Sequence, residues 1–293
     1  MDVLGHAIES VRQVLFNAFV ITPHLIAAVM SAGVVAGMLG ALLGLGGGVF
    51  LVPFLNLALG LPFKVAGAIS LMTVVATSSA VSARTAGRNL INLRLGMLLE
   101  VASAAGGLVA ALTLHLFPER MLYGLFALVT AVISGMMLTR LDRRNVLDAR
   151  VDPGRLGGRY YDDESGREVV YRVKRLPIGM SVSWLAGYVS GALGIGGGIL
   201  KVPTLNLWCG VPLRAAAATS GLMIGVTAVA SIPIHYANGY ILPGHAASAV
   251  LGVLLGSQAG FWFGDRARAR WLKLLMACLL FSVSMLYLVK VRL

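Results

Sequence analysis

Apolar positions fall along this chain in long uninterrupted blocks separated by short polar ones. Apolar windows over residues 20–44, 66–83, 95–117, 121–139, 177–200, 215–237, 245–263 and 271–289 approach or exceed the ~18–20 residues needed to cross a bilayer. Two shorter apolar pieces, 49–60 and 199–210, follow runs of three glycines. At 1.5 Å per residue each reaches about 18 Å, too short to span alone. Residues 4–20 read as an interfacial or extra helix leading into the first span. The N-terminal MDVLGHAIESVRQ lacks a basic region and a small-residue cleavage site, so no signal peptide is expected.

The blocks repeat. GLGGGVFLVPFLNL at 44–57 returns as GIGGGILKVPTLNL at 194–207, a shift of 150 residues with nine of fourteen positions identical. At the same shift Gly37 matches Gly187, Gly60 matches Gly210, Pro62 matches Pro212, Lys64 matches Arg214, Ser70 matches Ser220 and Thr77 matches Thr227. A repeat of this kind is the sign of a two-fold transporter scaffold with its site between the halves; the alternative is a duplication kept for packing. The expected fold is an all-α polytopic membrane protein of two homologous halves, each with about four helical segments and a glycine-broken helix. Its divisions are 1–23 (the extra helix), 24–139 (the first repeat), 140–176 (a basic loop) and 177–293 (the second repeat).

Composition agrees: 58% hydrophobic and 12% charged residues with a mean hydropathy of +0.84 cannot be hidden in one soluble core. The net charge of +12 is accounted for by basic cytoplasmic loops, so no nucleic-acid partner is expected. The central loop carries ten Lys/Arg and seven Asp/Glu. Within it, strand-forming residues 158–162 and 168–173 flank a turn, which predicts a small β-hairpin. Asp162, Asp163 and Glu164 read as a solvated turn rather than a metal site. Cys209 and Cys278 stand alone, as ordinary thiols at apolar positions.

Charge also bears on orientation. If each glycine break is an ordinary bend, the halves run parallel, with 16 Lys/Arg inside and 7 outside. If each break makes a re-entrant hairpin, the halves are inverted, with 18 inside and 5 outside. The inside set then contains the central loop, Arg214, and the cluster Arg266, Arg268, Arg270 and Lys273. The positive-inside rule favours inverted repeats with loop 140–176 cytoplasmic.

The candidate chemistry sits at the breaks. Gly46, Gly47 and Gly48, and Gly196, Gly197 and Gly198, give up helix propensity of about 1 kcal/mol each relative to Ala. Pro53 and Pro203 follow, each without an N–H to donate. In hydrocarbon the freed backbone groups must face protein or a cavity, and N–H groups at a new helix start suit an anion. The segments are therefore either a mid-membrane substrate cradle, with the two triplets close together, or tight helix crossings like those suggested by Gly33/Gly37 and Gly187/Gly191. Lys201 stands where the first copy has Leu51. Its charge either lies in the cavity beside the helix starts or snorkels to the interface. Asn56 and Asn206 either cap the half-helices or touch the ligand. Ser70, Thr73 and Thr77, with Thr219, Ser220 and Thr227, offer hydroxyls, or bond only to their own backbone. Glu100, His115 and His235 are candidate proton carriers. No nucleophile elbow, phosphate loop, zinc motif or acidic metal box is present, so neither an enzyme nor a cofactor is expected.

With LGLGGGVFLVPFLNLALGLP plus Lys64 and Ser70, and LGIGGGILKVPTLNLWCGVP plus Arg214 and Ser220, the chain resembles the sulfite exporter TauE/SafE family of membrane permeases. The resemblance covers about residues 24–139 and 174–289. It implies a secondary transporter moving small sulfur-containing anions, such as sulfite or organosulfonates, across the bacterial inner membrane, with the glycine and proline segments at its site. Lys201 departs from the commoner apolar residue and marks a possible subgroup preference. The expected function is a proton-coupled carrier for such an anion. The alternatives are an anion-selective channel and a membrane scaffold or sensor acting through the central loop.

Overall fold

The computed structural model describes residues 23–43, 46–85, 87, 89–138, 152–162, 166–264 and 269–292. The expected helix over residues 4–20 lies outside them, as do Asp163, Glu164, Arg266 and Arg268. The first half contains α1 (Pro23–Leu43), a short α2 (Gly48–Pro53) prolonged by a wider turn (Phe54–Ala58), α3 (Phe63–Thr85), α4 (Leu93–Thr113) and α5 (Glu119–Leu138). Strands β1 (Gly158–Asp162) and β2 (Arg167–Tyr171) follow. The second half contains α6 (Leu176–Leu193), a short α7 (Gly198–Leu207), α8 (Leu213–Ala237), α9 (Pro243–Gly264) and α10 (Ala269–Arg292). Among the described residues, seven helices are long and apolar enough to cross a membrane: α1, α3, α4, α5, α6, α8 and α9. The eighth expected window lies in α10, which is basic at both ends.

Helix boundaries follow the local chemistry. Proline opens α1 and α9, where its missing N–H costs nothing, and Gly194 closes α6 in the left-handed conformation. The two short helices stop where Asn56 and Asn206 turn their side-chain amides onto carbonyls five residues ahead. Asn56 Nδ2 donates to Leu61 O at 2.7 Å, and Asn206 Nδ2 to Val211 O at 3.0 Å.

Four helix pairs hold the described bundle together. Gly33 lies against Ala249 and Gly37 against Val253, so α1 and α9 run parallel with their backbones nearly touching. Gly187 lies against Ser103 and Gly191 against Gly107, giving α4 and α6 the same parallel crossing. Only glycine allows this approach, as expected of small residues at membrane helix interfaces. The other two pairs are antiparallel. Ser78 Oγ donates to Gly221 O at 2.6 Å while Val81 lies against Gly221 and Ser78 against Gly225, which sets α3 on α8. Ser134 Oγ donates to Ala277 O at 2.9 Å, and Ser284 Oγ to Ala127 O at 2.8 Å, which sets α5 on α10.

The central hairpin forms as the strand pattern predicts, with Gly158 opposite Tyr171 and Asp162 opposite Arg167. It is not a free loop. Tyr160, Val169 and Tyr171 are buried in one cluster with Leu95 and Leu99 of α4, Val202 and Leu205 of α7, and Cys209 and Val211 just beyond. Asn92 ties it down: its Nδ2 donates to Leu156 O at 2.8 Å and to the Tyr171 hydroxyl at 3.1 Å, while its Oδ1 caps α4 at Leu95. The hairpin thus rests on the far end of the second short helix.

Candidate functional site

The glycine triplets make the same break twice. Gly46 and Gly47 have φ of 87° and 64°, and Gly196 and Gly197 have 84° and 55°, a left-handed region that side chains strain to enter. Gly47 and Gly197 then stand at the starts of α2 and α7. The break frees fewer donors than a bare helix start implies. Gly48 N donates to Gly46 O at 2.6 Å, and Gly198 N to Gly196 O at 2.5 Å. The amides of Phe50 and Leu51, and of Leu200 and Lys201, turn onto Gly47 O and Gly197 O. The expected row of open N–H groups is thinned accordingly: the turn engages Gly48 and Phe50 at one helix start and Gly198 and Leu200 at the other.

The two breaks meet. Ser70 Oγ on α3 donates to Gly194 O at 2.6 Å, across 124 residues of sequence. A Cβ on Gly48 would collide with that same Gly194 carbonyl and with Ser70 Oγ. Gly46 lies against Val74 of α3 and Ile224 of α8. The breaks therefore abut each other between the crossed pair α3 and α8. Ser220, the counterpart of Ser70, is fully buried, and its hydroxyl has no hydrogen-bond partner among the described residues. Ser190 is in the same state and lies against Gly197. Two buried hydroxyls, Ser190 at the second break and Ser220 on α8, thus have unused capacity.

Lys201 does not snorkel. It is 1% exposed, and its ammonium lies 3.4 Å from Glu100 Oε2 and 3.1 Å from Thr227 Oγ1. The Thr227 hydroxyl donates to Glu100 Oε1 at 2.6 Å, and Ser103 Oγ lies 2.8 Å from Thr227 Oγ1. An α7 cation, an α4 carboxylate and an α8 hydroxyl thus form one enclosed network. The lone positive charge of the sequence-based expectation is a neutral pair. At the repeat-related positions stand Leu51 and Thr77 in the first half and Val250 and Val253 in the second, so the network is built once.

Other candidates are placed differently. Pro53 and Pro203 sit inside the short helices, on the side of each break away from α1 and α6. Thr73 and Thr77 bond back to carbonyls of α3 itself, and Thr219 accepts from the Asn92 amide. His235 Nε2 meets the Gly191 carbonyl at 3.1 Å, two turns along α8 from Thr227. His115 is exposed, in the turn after α4. Asn56 Oδ1 accepts from Tyr287 at 3.2 Å and from Lys290 at 3.1 Å. Lys290 also caps the ring of Tyr123 at 4.7 Å, and Glu119 accepts from the Tyr123 hydroxyl at 2.7 Å. This aromatic clasp, completed by Phe63 and Phe126, has no periodic signature and was not foreseen. No group of three metal-ligating side chains occurs among the described residues.

A family model described as "Sulfite exporter TauE/SafE" matches residues 29–287, which takes in both breaks, all four helix pairs and the hairpin. The "Probable membrane transporter protein YunE" of Bacillus subtilis (strain 168) is 24% identical over 259 residues, spanning 86% of this chain and 93% of that protein. No solved structure matches the chain. The two glycine-broken helices, the apolar bundle around them and the extent of the family match lead to one assignment: this chain belongs to the sulfite exporter TauE/SafE family and is a multi-pass membrane transporter.

Proposed function

We propose that the protein is a secondary carrier for a small sulfur-containing anion, such as sulfite or an organosulfonate, in the bacterial inner membrane, coupled to the proton gradient. The observation that carries the reading is the meeting of the two breaks at the Ser70–Gly194 contact. Irregular backbone within a membrane is tolerated where it is enclosed by protein or lines a cavity, and paired broken helices are the usual form of a carrier site. An oxyanion of this size needs a few convergent donors and one positive centre. The second break offers the Ser190 hydroxyl, α8 offers that of Ser220, and Lys201 lies three residues into α7.

The halves are read as inverted copies with the central loop cytoplasmic. Counterpart helices α3 and α8 pack antiparallel, as do α5 and α10. A two-fold axis in the membrane plane relates such pairs, and the charge count points the same way. A carrier alternates access by moving one packed group of helices past another around this axis.

Reconstitution into proteoliposomes tests the reading. Wild type should exchange labelled sulfite or a sulfonate saturably and be stimulated by the same anion on the far side, whereas unsaturable flux would mean a channel. Gly47→Leu should abolish exchange, since its φ is left-handed and a Cβ there meets the Ala36 carbonyl. If wild type exchanges none of sulfite, thiosulfate or sulfonates, the substrate assignment fails.

A further inference from the structure

Lys201 and Glu100 are both buried, and the network around them is balanced but loose. Their 3.4 Å contact is longer than the ~2.7–2.9 Å of a strong charged hydrogen bond. Thr227 holds Glu100 more closely, at 2.6 Å, than Lys201 does. The ammonium carries three protons, and Glu100 and Thr227 take two of them. Thr227 also lies seven residues, or two turns of one helix face, from the unpartnered Ser220 of the same helix.

From this we infer that the pair is the proton-coupling element of the carrier. A proton taken up by Glu100 releases Lys201 to serve as counter-ion to the transported anion. The inference rests on the anion-carrier reading above and adds to it the site and stoichiometry of coupling. Charge conservation is the argument. With Glu100 ionised, Lys201 is already neutralised, and an anion brought to it leaves one uncompensated negative charge away from water. Such a charge is expensive in a membrane interior. A proton added to the Glu100 carboxylate makes it a neutral acid, with the Thr227 hydroxyl still in reach. Lys201 keeps all three of its own protons and pairs with the anion. The occupied and empty sites are then both neutral, one proton moves with each anion, and no other bond is made or broken.

Among the described residues, the helices packed around the pair carry no acid other than Glu100. On the elements against the pair, the remaining titratable side chains are Arg94 on α4, Tyr188 on α6, Arg214, His235 and Tyr236 on α8, and, in the cluster over α4 and α7, Tyr160 and Tyr171 of the hairpin with Cys209. The arginines stand at helix starts, and His235 is engaged by Gly191. Because the repeat-related positions hold Leu51 and Val250, the stoichiometry is one rather than two.

The test is proton uptake on anion binding by the purified full chain. Calorimetric titrations with methanesulfonate are run in buffers of different ionisation enthalpy. This anion stays singly charged through the physiological range, so any proton taken up belongs to the protein. For sulfite, its own proton exchange is subtracted from a protein-free control. Wild type should take up one proton per anion bound, with affinity falling tenfold per pH unit once Glu100 is ionised. Glu100→Gln imitates the protonated acid, so it should bind at least as tightly as wild type, with no proton uptake and no pH dependence. Binding by wild type without proton uptake overturns the inference and leaves the carrier reading intact. So does a Glu100→Gln protein that still takes up a proton, or a folded one that no longer binds. The wild-type measurement decides the matter even where that variant does not fold. If wild type neither binds nor exchanges any sulfur anion, the carrier reading fails and takes the inference with it.

Discussion

Replacing Lys201 by methionine keeps the unbranched stem, one atom shorter, and removes the charge, which isolates the electrostatic contribution of the buried pair. At 3.4 Å and an effective dielectric of about 20, the direct attraction amounts to about 5 kcal/mol. Desolvation of both groups offsets much of that attraction. Removing one partner, however, leaves the Glu100 carboxylate buried with little besides the Thr227 hydroxyl, at a cost of about 3–5 kcal/mol. Removing both charges, in Lys201→Met with Glu100→Met, replaces the pair by apolar groups of similar volume and should return stability to within about 1–2 kcal/mol of wild type. The double-mutant cycle should therefore give a coupling of about 3 kcal/mol or more, where an exposed pair gives about 0–1 kcal/mol. Reversible unfolding in mixed micelles with increasing dodecyl sulfate, followed by circular dichroism, measures all four proteins. A coupling below about 1 kcal/mol, or a Lys201→Met midpoint equal to that of wild type, would refute an enclosed ion pair and return Lys201 to the interface.

Gly48→Ala should lower anion exchange by about a hundredfold, because its Cβ meets both the Gly194 carbonyl and Ser70 and parts the two breaks. Gly135→Ala, with nothing within 4 Å of the new Cβ, should leave exchange unchanged in the same flux assay. Burial holds the Tyr171 phenol above its usual pKa of 10.0, against the opposing hydrogen bond from Asn92. Docking of the hairpin is therefore complete below pH 10.0 and lost as pH rises through the raised value; protease sensitivity of loop 152–176 should increase there, and Tyr171→Phe should remove the increase. Single cysteines introduced at Arg172 and Ala269, in a background without Cys209 and Cys278, should be labelled from the cytoplasmic side. Labelling of the Ala269 site from the periplasm would instead favour parallel halves.

Much of this architecture is legible in the chain because its causes are local. A spanning helix needs only an apolar run of sufficient length, and each run that α1, α3, α4, α5, α6, α8 and α9 occupy is visible without knowledge of its neighbours. The breaks at Gly46, Gly47 and Gly48 and at Gly196, Gly197 and Gly198 are equally local, since a left-handed turn asks for glycine wherever it lies. Strand-forming residues around a turn foretell the 158–171 hairpin for the same reason. The repeat shows which positions correspond, and the paired glycines of α1 and α6 announce close crossings.

What only the tertiary structure decided is which of these parts touch. Glu100 and Lys201 lie 101 residues apart, and no period or motif marks either as the other's partner, so the sequence presents one as a lone acid and the other as a lone cation. Ser70 and Ser220 are equivalent in the repeat, yet Ser70 reaches the Gly194 carbonyl and Ser220 reaches nothing among the described residues. A duplicated sequence carries no record of where its halves have diverged in contact. The amides at the breaks look free in the sequence, yet those of Gly48, Phe50, Gly198 and Leu200 are spent in tight turns, because the left-handed glycines bend the chain back on its own carbonyls. The hairpin, legible as a hairpin, finds its seat on α4 and α7 only through the relative placement of helix ends. Local propensity settles the conformation of a segment; the register between segments is settled by packing, and the chemistry of this site lies in that register.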